Sequence, residues 1–124
     1  MTELRLIQLI GENRWWPEVE FDFDAMKTRA GLREIARYAD GIGPWYEQII
    51  VGRDPSGKPR FSQLVADARA HGLLVHTYTL RADRLPGGVN HFRQLLVELI
   101  DQQGVDGVFT DHPDLVREYL IARP

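Results

Sequence analysis

Six side chains of types that bind substrates stand near the ends of strand-like segments: Trp15, Trp16, Tyr78, Arg81, Thr110 and Asp111. Indole and phenol rings offer large rigid apolar faces with a polar tip. A guanidinium can hold a phosphate through two parallel hydrogen bonds, and a carboxylate can ligate a divalent cation. These residue types define candidate contacts to an apolar group, to a phosphate and to a metal ion.

The stretch from Val105 to Pro113 reads as a short buried strand that ends in polar residues and leads into a helix. This pattern is typical of the active-site face of a β/α barrel, where substrate-binding residues follow the strands. Asp111 stands where the strand ends and has two interpretations. It is either a metal ligand or an acceptor of backbone N–H groups at the start of the last helix, and the second is favoured.

Arg81 and the two tryptophans also follow strand-like segments and have two interpretations each. Arg81 either grips a phosphate near a helix N-terminus or pairs with Asp83 in a solvated loop. Trp15 and Trp16 lie in a long segment, Glu12 to Arg29, that has no clean periodicity. They either rim a substrate cleft or close one end of the fold, because long loops of this kind are often functional.

The four histidines do not stand at the spacing of metal ligands. His76 lies in the middle of a strand, and a period of two places it on the same face as Leu74 and Tyr78. It is either a buried acid or base or, as favoured, a hydrogen-bonded core histidine. The spacing of the histidines therefore argues against a complete metal site.

The bulk composition restricts the class of protein. The chain has 124 residues, a net charge of −3 and no cysteine, which predicts one domain over residues 1–124 and excludes disulfides and thiolate chemistry. The net charge disfavours nucleic acid as a partner. No apolar run is long enough to span a membrane, and no signal peptide is recognisable, so the compartment stays unknown.

Strand-like and helix-like segments alternate along the chain. The predicted strands are Leu4–Ile10, Asp40–Pro44, Leu73–Leu80 and Val105–Thr110, and the predicted helices are Gly31–Ala39, Phe61–His71, His91–Gln103 and Pro113–Ala122. Such alternation predicts an α/β fold with a parallel sheet built from four βα units. Right-handed crossovers then place the helices on one side, as in half of a TIM-type barrel.

Four segments resemble the glycerophosphodiester phosphodiesterase family, particularly the C-terminal half of its long, periplasmic type. They are LIQLI (Leu6–Ile10), YADGIGP (Tyr38–Pro44), LLVHTYTLRAD (Leu73–Asp83) and VDGVFTDHPD (Val105–Asp114), in the family's order and spacing. The last two segments form a specific pair, and the resemblance covers nearly the whole chain. It implies an incomplete (β/α)8 barrel in which this chain supplies strands five to eight.

The resemblance also implies what this chain lacks. The family hydrolyses glycerophosphodiesters to glycerol 3-phosphate and an alcohol with a histidine pair and Ca²⁺ or Mg²⁺. Those residues lie in His-Arg-Gly and Glu-x-Asp motifs of the first strands, which the chain does not contain. We expect no metal for this chain alone and no turnover by it. Tyr78 takes the position at which many relatives carry a Trp that packs on the glycerol part. Its ring either contacts the substrate in that way or fills the barrel interior.

These expectations leave two functions open. In the first, the chain is the substrate-side half of the enzyme and binds a glycerophosphodiester through Tyr78, Arg81, Trp15 and Trp16. In the second, it is a non-catalytic relic or phosphoglycerol-binding half-barrel that dimerises. The partner is accordingly a missing N-terminal half-barrel or a second copy of the chain, since a half-barrel leaves strand edges unpaired. Only the resemblance to the periplasmic type of the family implies that the protein is exported.

Overall fold

The computed structural model of the chain describes residues 4–16, 18 and 21–122. Its strands are β1 (Ile7–Ile10), β2 (Gly41–Pro44), β3 (Ile50–Arg53), β4 (Pro59–Phe61), β5 (Leu74–Leu80) and β6 (Gly107–Thr110). The main sheet has the order β1-β2-β5-β6 and all of its neighbouring strands are parallel. The predicted parallel sheet of four strands is therefore confirmed.

Helices connect these parallel strands. They are α1 (Phe23–Met26), α2 (Arg29–Ile35), α3 (Leu64–Ala70), α4 (Phe92–Leu96) and α5 (Pro113–Ala122), and α4 continues as a π-helix over Val97–Gln102. Short 3-10 turns follow β1 at Asn13–Trp15 and β2 at Tyr46–Gln48. In the part of the chain that the structure describes, we find no helix with the length and apolarity needed to cross a bilayer.

The hydrophobic core lies between one face of the main sheet and the helices. Ile10, Ile42 and Val75 supply its sheet side and are fully buried. The helices contribute the remaining apolar layer, which includes Leu32, Ile35, Leu64, Val65, Ala68, Leu95, Leu96, Leu99, Val116 and Tyr119. The Thr77 side chain, also fully buried, donates from Oγ1 to the Pro44 carbonyl oxygen at 2.9 Å. This hydrogen bond satisfies the Thr77 hydroxyl group, which β5 directs toward the core.

The opposite face of the main sheet is open. Leu9 is 57% exposed and Phe109 is 46% exposed, although both lie within strands. His76 packs its ring over Gly107, where an added Cβ would lie 3.2 Å from the imidazole, and it meets Phe109 edge to face. The alternation predicted for β5 is confirmed from Leu74 to Tyr78, because Val75 and Thr77 are buried in the core while Leu74, His76 and Tyr78 are not. It ends there, because the pairing with β6 shifts register and Leu80 is fully buried.

A β-hairpin formed by β3 and β4 is inserted between β2 and α3. At its tip Asp54 Oδ1 accepts from the Ser56 and Lys58 backbone N–H groups, and Gly57 takes a positive φ of 90°. Arg53 anchors the hairpin to the π-helix through a bidentate ion pair with Glu98, at 2.6 and 2.8 Å. The Arg53 and Glu98 side chains are 13% and 5% exposed, so this pair is nearly desolvated.

Several predicted boundaries are corrected by local contacts. α2 begins at Arg29 because Thr28 Oγ1 accepts from the Gly31 N–H and caps the helix. α3 begins only at Leu64 because the preceding Phe61 belongs to the hairpin. The next helix, α4, begins at Phe92 rather than His91, because His91 is extended and serves as the N-cap residue. The last helix, α5, is confirmed over its predicted range.

We expect Arg53→Ala to lower the free energy of unfolding by about 3 kcal/mol, because it leaves the Glu98 carboxylate buried without its counter-charge. Chemical denaturation at neutral pH measures this loss. The matched control is Arg37→Ala, which removes an exposed ion pair with Glu34 and should cost under about 1 kcal/mol. Equal losses in the two variants would show that the Arg53–Glu98 pair does not anchor the hairpin.

Candidate substrate-binding site

An apolar pocket lies at the carboxyl ends of the parallel strands and has a volume of about 490 Å³. The pocket is lined by Leu9, Gly11, Trp15, Trp16, Phe23, Tyr78, Thr79 and Phe109. The structure thus brings together three of the four predicted substrate-binding residues. A volume of this size is typical of small-molecule sites.

The two tryptophans form a corner of this pocket. Their ring centroids lie 5.6 Å apart and their planes are at 87° to each other. Phe23 extends the wall, with its ring 6.4 Å from that of Trp16. Trp15 is supported from another side by the ring of Trp45 at 5.1 Å. Edge-to-face contacts of this kind stabilise aromatic clusters and hold the rings in fixed orientations.

Gly11, directly after β1, allows both indoles to lie against the backbone. A Cβ built on it would lie 3.1 Å from carbon atoms of both Trp15 and Trp16, closer than ordinary van der Waals contact. The wall of the pocket therefore depends on a residue without a side chain at this position.

Tyr78 lines the pocket and ties β5 to β1 through its hydroxyl group. Its O–H donates to the Ile10 carbonyl oxygen at 2.6 Å. Burial raises the pKa of Tyr78, and the nearby carboxylate of Glu12 raises it further. The phenol is therefore a stable hydrogen-bond donor at neutral pH.

A second polar tie lies next to the pocket and centres on Gln48, which is 6% exposed. Its Nε2 donates to the Gly11 carbonyl oxygen and to Glu12 Oε2, both at 2.7 Å, and its Oε1 accepts from the Trp45 N–H at 3.0 Å. Lys27 Nζ lies 3.4 Å from the same Glu12 carboxylate. These bonds fix the turn after β1 that carries the two tryptophans.

Arg81 lies outside the lining of this pocket. Its Nε and Nη2 donate to the two carboxylate oxygens of Asp83 at 3.2 and 2.7 Å, and Asp111 Oδ2 lies 3.6 Å from Nε. The hydrogen bond to Asp83 raises the pKa of Arg81, so the guanidinium is firmly charged. The pairing with Asp83 that the sequence suggested as one alternative is present.

Asp111 does not take the predicted place at the start of the last helix. Thr110 Oγ1 accepts from the His112 N–H at 2.9 Å instead, while Asp111 faces Arg81. The hydroxyl group of Thr110 also donates to the Leu80 carbonyl oxygen and ties β6 to β5. His112 Nδ1 accepts from the Ala82 N–H, so this imidazole holds the loop after β5.

Within residues 4–16, 18 and 21–122, no three His, Asp or Glu side chains come close enough together to hold a metal ion. The carboxylates near the pocket are engaged by other groups: Glu12 by Gln48 and Lys27, and Asp111 by Arg81. The described residues therefore do not fit a divalent cation.

A second cavity, of about 430 Å³, lies between the β3–β4 hairpin and the loop after β5. Tyr46, Arg53 and Gly88 are among its lining residues, and the lining described includes none of the predicted site residues. Ligand binding in the aromatic pocket can therefore be compared with binding in this cavity as a control.

The fold and the pocket together define the class of protein. A parallel sheet with helices on one face and a pocket at the carboxyl ends of its strands is consistent with part of an α/β barrel. The chain matches the Glycerophosphoryl diester phosphodiesterase family over residues 1–115 and belongs to that family. Its members are TIM barrels and phosphodiester hydrolases that commonly use divalent metals. The resemblance found in the sequence is thereby confirmed.

Curated relatives from three bacteria carry the name glycerophosphodiester phosphodiesterase. The chain is 34% identical to that of Haemophilus influenzae, with 95% of this chain and 35% of the relative covered. The relative from Treponema pallidum is 30% identical, with 82% of this chain and 29% of the relative covered. The relative from Bacillus subtilis is 35% identical, with 73% of this chain and 24% of the relative covered. The chain thus spans about a third or less of the length of these relatives.

Sequence reasoning missed part of the pocket and both of its polar ties. Leu9 and Phe109 could have been found from the strand alternation that was applied to Tyr78, since both lie on the open face. Glu12 stands two residues after the end of β1. Its position just beyond a strand was a signal of the kind used for Asp111. Gln48 lies in a segment without periodicity, and no local pattern indicates its contacts with Gly11 and Glu12.

The ties at Glu12 predict a pH dependence of stability. Burial alone would raise the pKa of Glu12, but the hydrogen bond from Gln48 and the charge of Lys27 outweigh it, so the pKa lies below its ordinary value of 4.5. A carboxyl group whose pKa is lower in the folded state stabilises the fold at pH values above its unfolded-state pKa. That contribution is lost as the pH falls through the folded-state pKa. We expect the free energy of unfolding of Glu12→Gln to fall less than that of the parent chain as the pH is lowered from about 5 to about 3.

Denaturant unfolding at a series of pH values measures this difference. Gln48→Met, which removes the amide donor but keeps the volume, should weaken the pH dependence in the same direction. If the parent chain, Glu12→Gln and Gln48→Met lose the same free energy of unfolding on acidification, the contacts with Gln48 and Lys27 do not stabilise the Glu12 carboxylate.

Proposed function

We propose that this chain is the substrate-side half of a glycerophosphodiester phosphodiesterase. The complete protein would hydrolyse glycerophosphodiesters to glycerol 3-phosphate and an alcohol. The chain would form strands five to eight of a (β/α)8 barrel as a single incomplete domain over residues 1–124. Family membership supports the reaction, and a main sheet of four parallel strands, half the number in an eight-stranded barrel, supports the division of the barrel.

The observation that carries the proposal is the aromatic pocket at the carboxyl ends of the strands. Active sites of β/α barrels are built at that end, from residues that follow the strands. Trp15, Trp16 and Tyr78 were selected from the sequence as substrate contacts, and all three line this pocket. We propose that they contact the organic part of the diester, with the Tyr78 ring against the glycerol.

Arg81 would serve the phosphate group of the substrate. It follows β5 at the same end of the sheet, and its contacts with Asp83 and Asp111 use Nε and Nη2. A guanidinium carries five N–H groups, so these contacts leave donors for a phosphate oxygen. In this proposal the two carboxylates orient Arg81 rather than compete with the substrate.

The proton transfers and the metal would belong to the other half of the barrel. Family enzymes commonly use divalent metals, and the described residues of this chain do not fit one. We therefore propose that the histidine pair and the carboxylate ligands for Ca²⁺ or Mg²⁺ come from the first strands. The role of this chain is then to bind and orient the diester.

We expect the isolated chain to release no glycerol 3-phosphate from glycerophosphodiesters above the level of the double variant Tyr78→Ala, Arg81→Ala. A chimera that joins the part of the Haemophilus influenzae relative outside the match to residues 1–124 should turn over in the presence of Ca²⁺ or Mg²⁺. Enzymatic detection of glycerol 3-phosphate measures both. Metal-dependent turnover by the pure isolated chain would contradict the division of labour.

In the chimera, Tyr78→Ala should raise KM by about tenfold because the glycerol loses an aromatic contact worth roughly 1 kcal/mol or more. Tyr78→Phe keeps the ring face and loses only the hydrogen bond to Ile10, so it should raise KM by less than Tyr78→Ala, which makes it the matched control. Equal effects of the two substitutions would assign the role to the hydroxyl group instead.

The open face of the sheet suggests what covers it. Leu9 and Phe109 are exposed apolar side chains on the face that a closed barrel buries. We propose that the first half of the barrel covers this face in the complete protein, and that a second copy of the chain does so when it is isolated. The second arrangement also fits the alternative function, a phosphoglycerol-binding module that dimerises.

We expect the isolated chain to sediment as a dimer at micromolar concentration, and Leu9→Glu to shift it toward the monomer because a charge on the open face resists burial. The control is Leu120→Glu on the last helix, whose side chain is 46% exposed, comparable to the 57% of Leu9, but lies outside the main sheet. A parent chain that sediments as a monomer would contradict pairing through this face.

A further inference from the structure

We propose that His112 is a positioning residue for Arg81 and acts together with Thr110 from the turn after β6. The two side chains hold the backbone on either side of Arg81 and so direct its guanidinium toward the phosphate of the diester. This inference deepens the proposed function and rests on it, because Arg81 is the group that serves the phosphate there. His112 itself does not contact the substrate.

The turn after β6 makes one hydrogen bond before Arg81 and another after it. The Thr110 hydroxyl group donates to the Leu80 carbonyl oxygen at 2.6 Å, and the Ala82 N–H donates to His112 Nδ1 at 3.2 Å. Thr110 and Leu80 are also register partners in the pairing of β6 with β5. Arg81 thus lies between two bonds to a segment that follows 30 residues later in the chain.

The imidazole of His112 is itself held in place. The His112 backbone N–H donates to Thr110 Oγ1 at 2.9 Å, and the ring meets Phe92 edge to face with centroids 6.1 Å apart. The next residue, Pro113, begins α5 with a backbone angle that its own ring restricts. These contacts limit the rotation of the imidazole, so it is a fixed acceptor for the Ala82 N–H.

The hydrogen bond from Ala82 also assigns the state of the imidazole. Nδ1 of His112 accepts this bond only when it carries no proton, so the proton of the neutral ring lies on Nε2. The ¹⁵N chemical shifts of the two ring nitrogens differ between the tautomers. The assignment can therefore be checked in the parent chain without any substitution.

The carboxylates around Arg81 do not suffice to orient it. Asp83 accepts from Nε and Nη2 of Arg81 at 3.2 and 2.7 Å, and Asp111, between Thr110 and His112, lies 3.6 Å from Nε. The Arg81 side chain is 41% exposed, and ion pairs exposed to this degree contribute little. A guanidinium that binds a phosphate through two bonds needs a defined plane. The backbone bonds of Thr110 and His112 supply the part of that orientation that the ion pairs leave open.

The test compares His112→Asn with His112→Leu in the full chain. The two replacements have nearly the same shape and both remove the ring contact with Phe92, but only Asn places an acceptor near the position of Nδ1. Glycerol 3-phosphate is titrated into each protein, and the Arg81 Nε–H signal is followed by NMR. We expect His112→Leu to bind about 3- to 10-fold more weakly than the parent chain, and His112→Asn to bind nearly as well.

Two further measurements distinguish positioning from a general loss of structure. Hydrogen exchange at the Ala82 N–H should be faster in His112→Leu and close to the parent rate in His112→Asn. The ¹⁵N shifts of the His112 ring in the parent chain should show the tautomer with its proton on Nε2.

Three results would overturn the proposal: the tautomer with its proton on Nδ1, equal loss of affinity in both variants, or parent affinity in His112→Leu. Equal loss would mean that His112 acts only by packing against Phe92. Failure of the proposed role of Arg81 looks different. In that case glycerol 3-phosphate leaves the Arg81 signal of the parent chain unchanged, although the tautomer and the protection of Ala82 are as expected, and the positioning role for phosphate fails with it.

Discussion

The structure depends on the burial of one face of a parallel sheet under its helices. Ile10, Ile42 and Val75 are fully buried on that face, and this burial fixes the side on which Leu9 and Tyr78 must lie. Because the strands are parallel, their carboxyl ends meet at one edge, and the chain segments that leave them come together there. The aromatic pocket is the consequence of that alignment.

Polar bonds then convert a loose cluster of aromatic residues into a defined site. Gln48 and Tyr78 fix the backbone that carries Trp15 and Trp16, because both donate hydrogen bonds to carbonyl oxygens near the end of β1. On the other side Asp83 holds Arg81 through two hydrogen bonds. The chain thus presents an apolar recess and a charged group at the same end of the sheet. In a phosphodiesterase this arrangement suits binding and orientation, with the reacting groups supplied from elsewhere.

The sequence predicted what depends on local patterns. The alternation of strand-like and helix-like segments predicted the parallel sheet, and a period of two placed Tyr78 on the same face of its strand as Leu74 and His76. The β3–β4 hairpin was missed, because its two short strands carry no distinct period and its anchor, Arg53 with Glu98, joins residues far apart in the chain. Membership of Tyr78 in the pocket was predictable. The contacts of Gln48 were not, since they depend on how two turns after different strands meet.

The most direct test of the central claim is NMR mapping of glycerophosphocholine binding to the chain. We expect the indole N–H signals of Trp15 and Trp16 to shift together with the backbone signal of Tyr78, while signals around the hairpin cavity at Arg53 and Gly88 stay in place. Shifts confined to the hairpin cavity, or none at millimolar ligand, would contradict the account and remove the aromatic pocket from the substrate site.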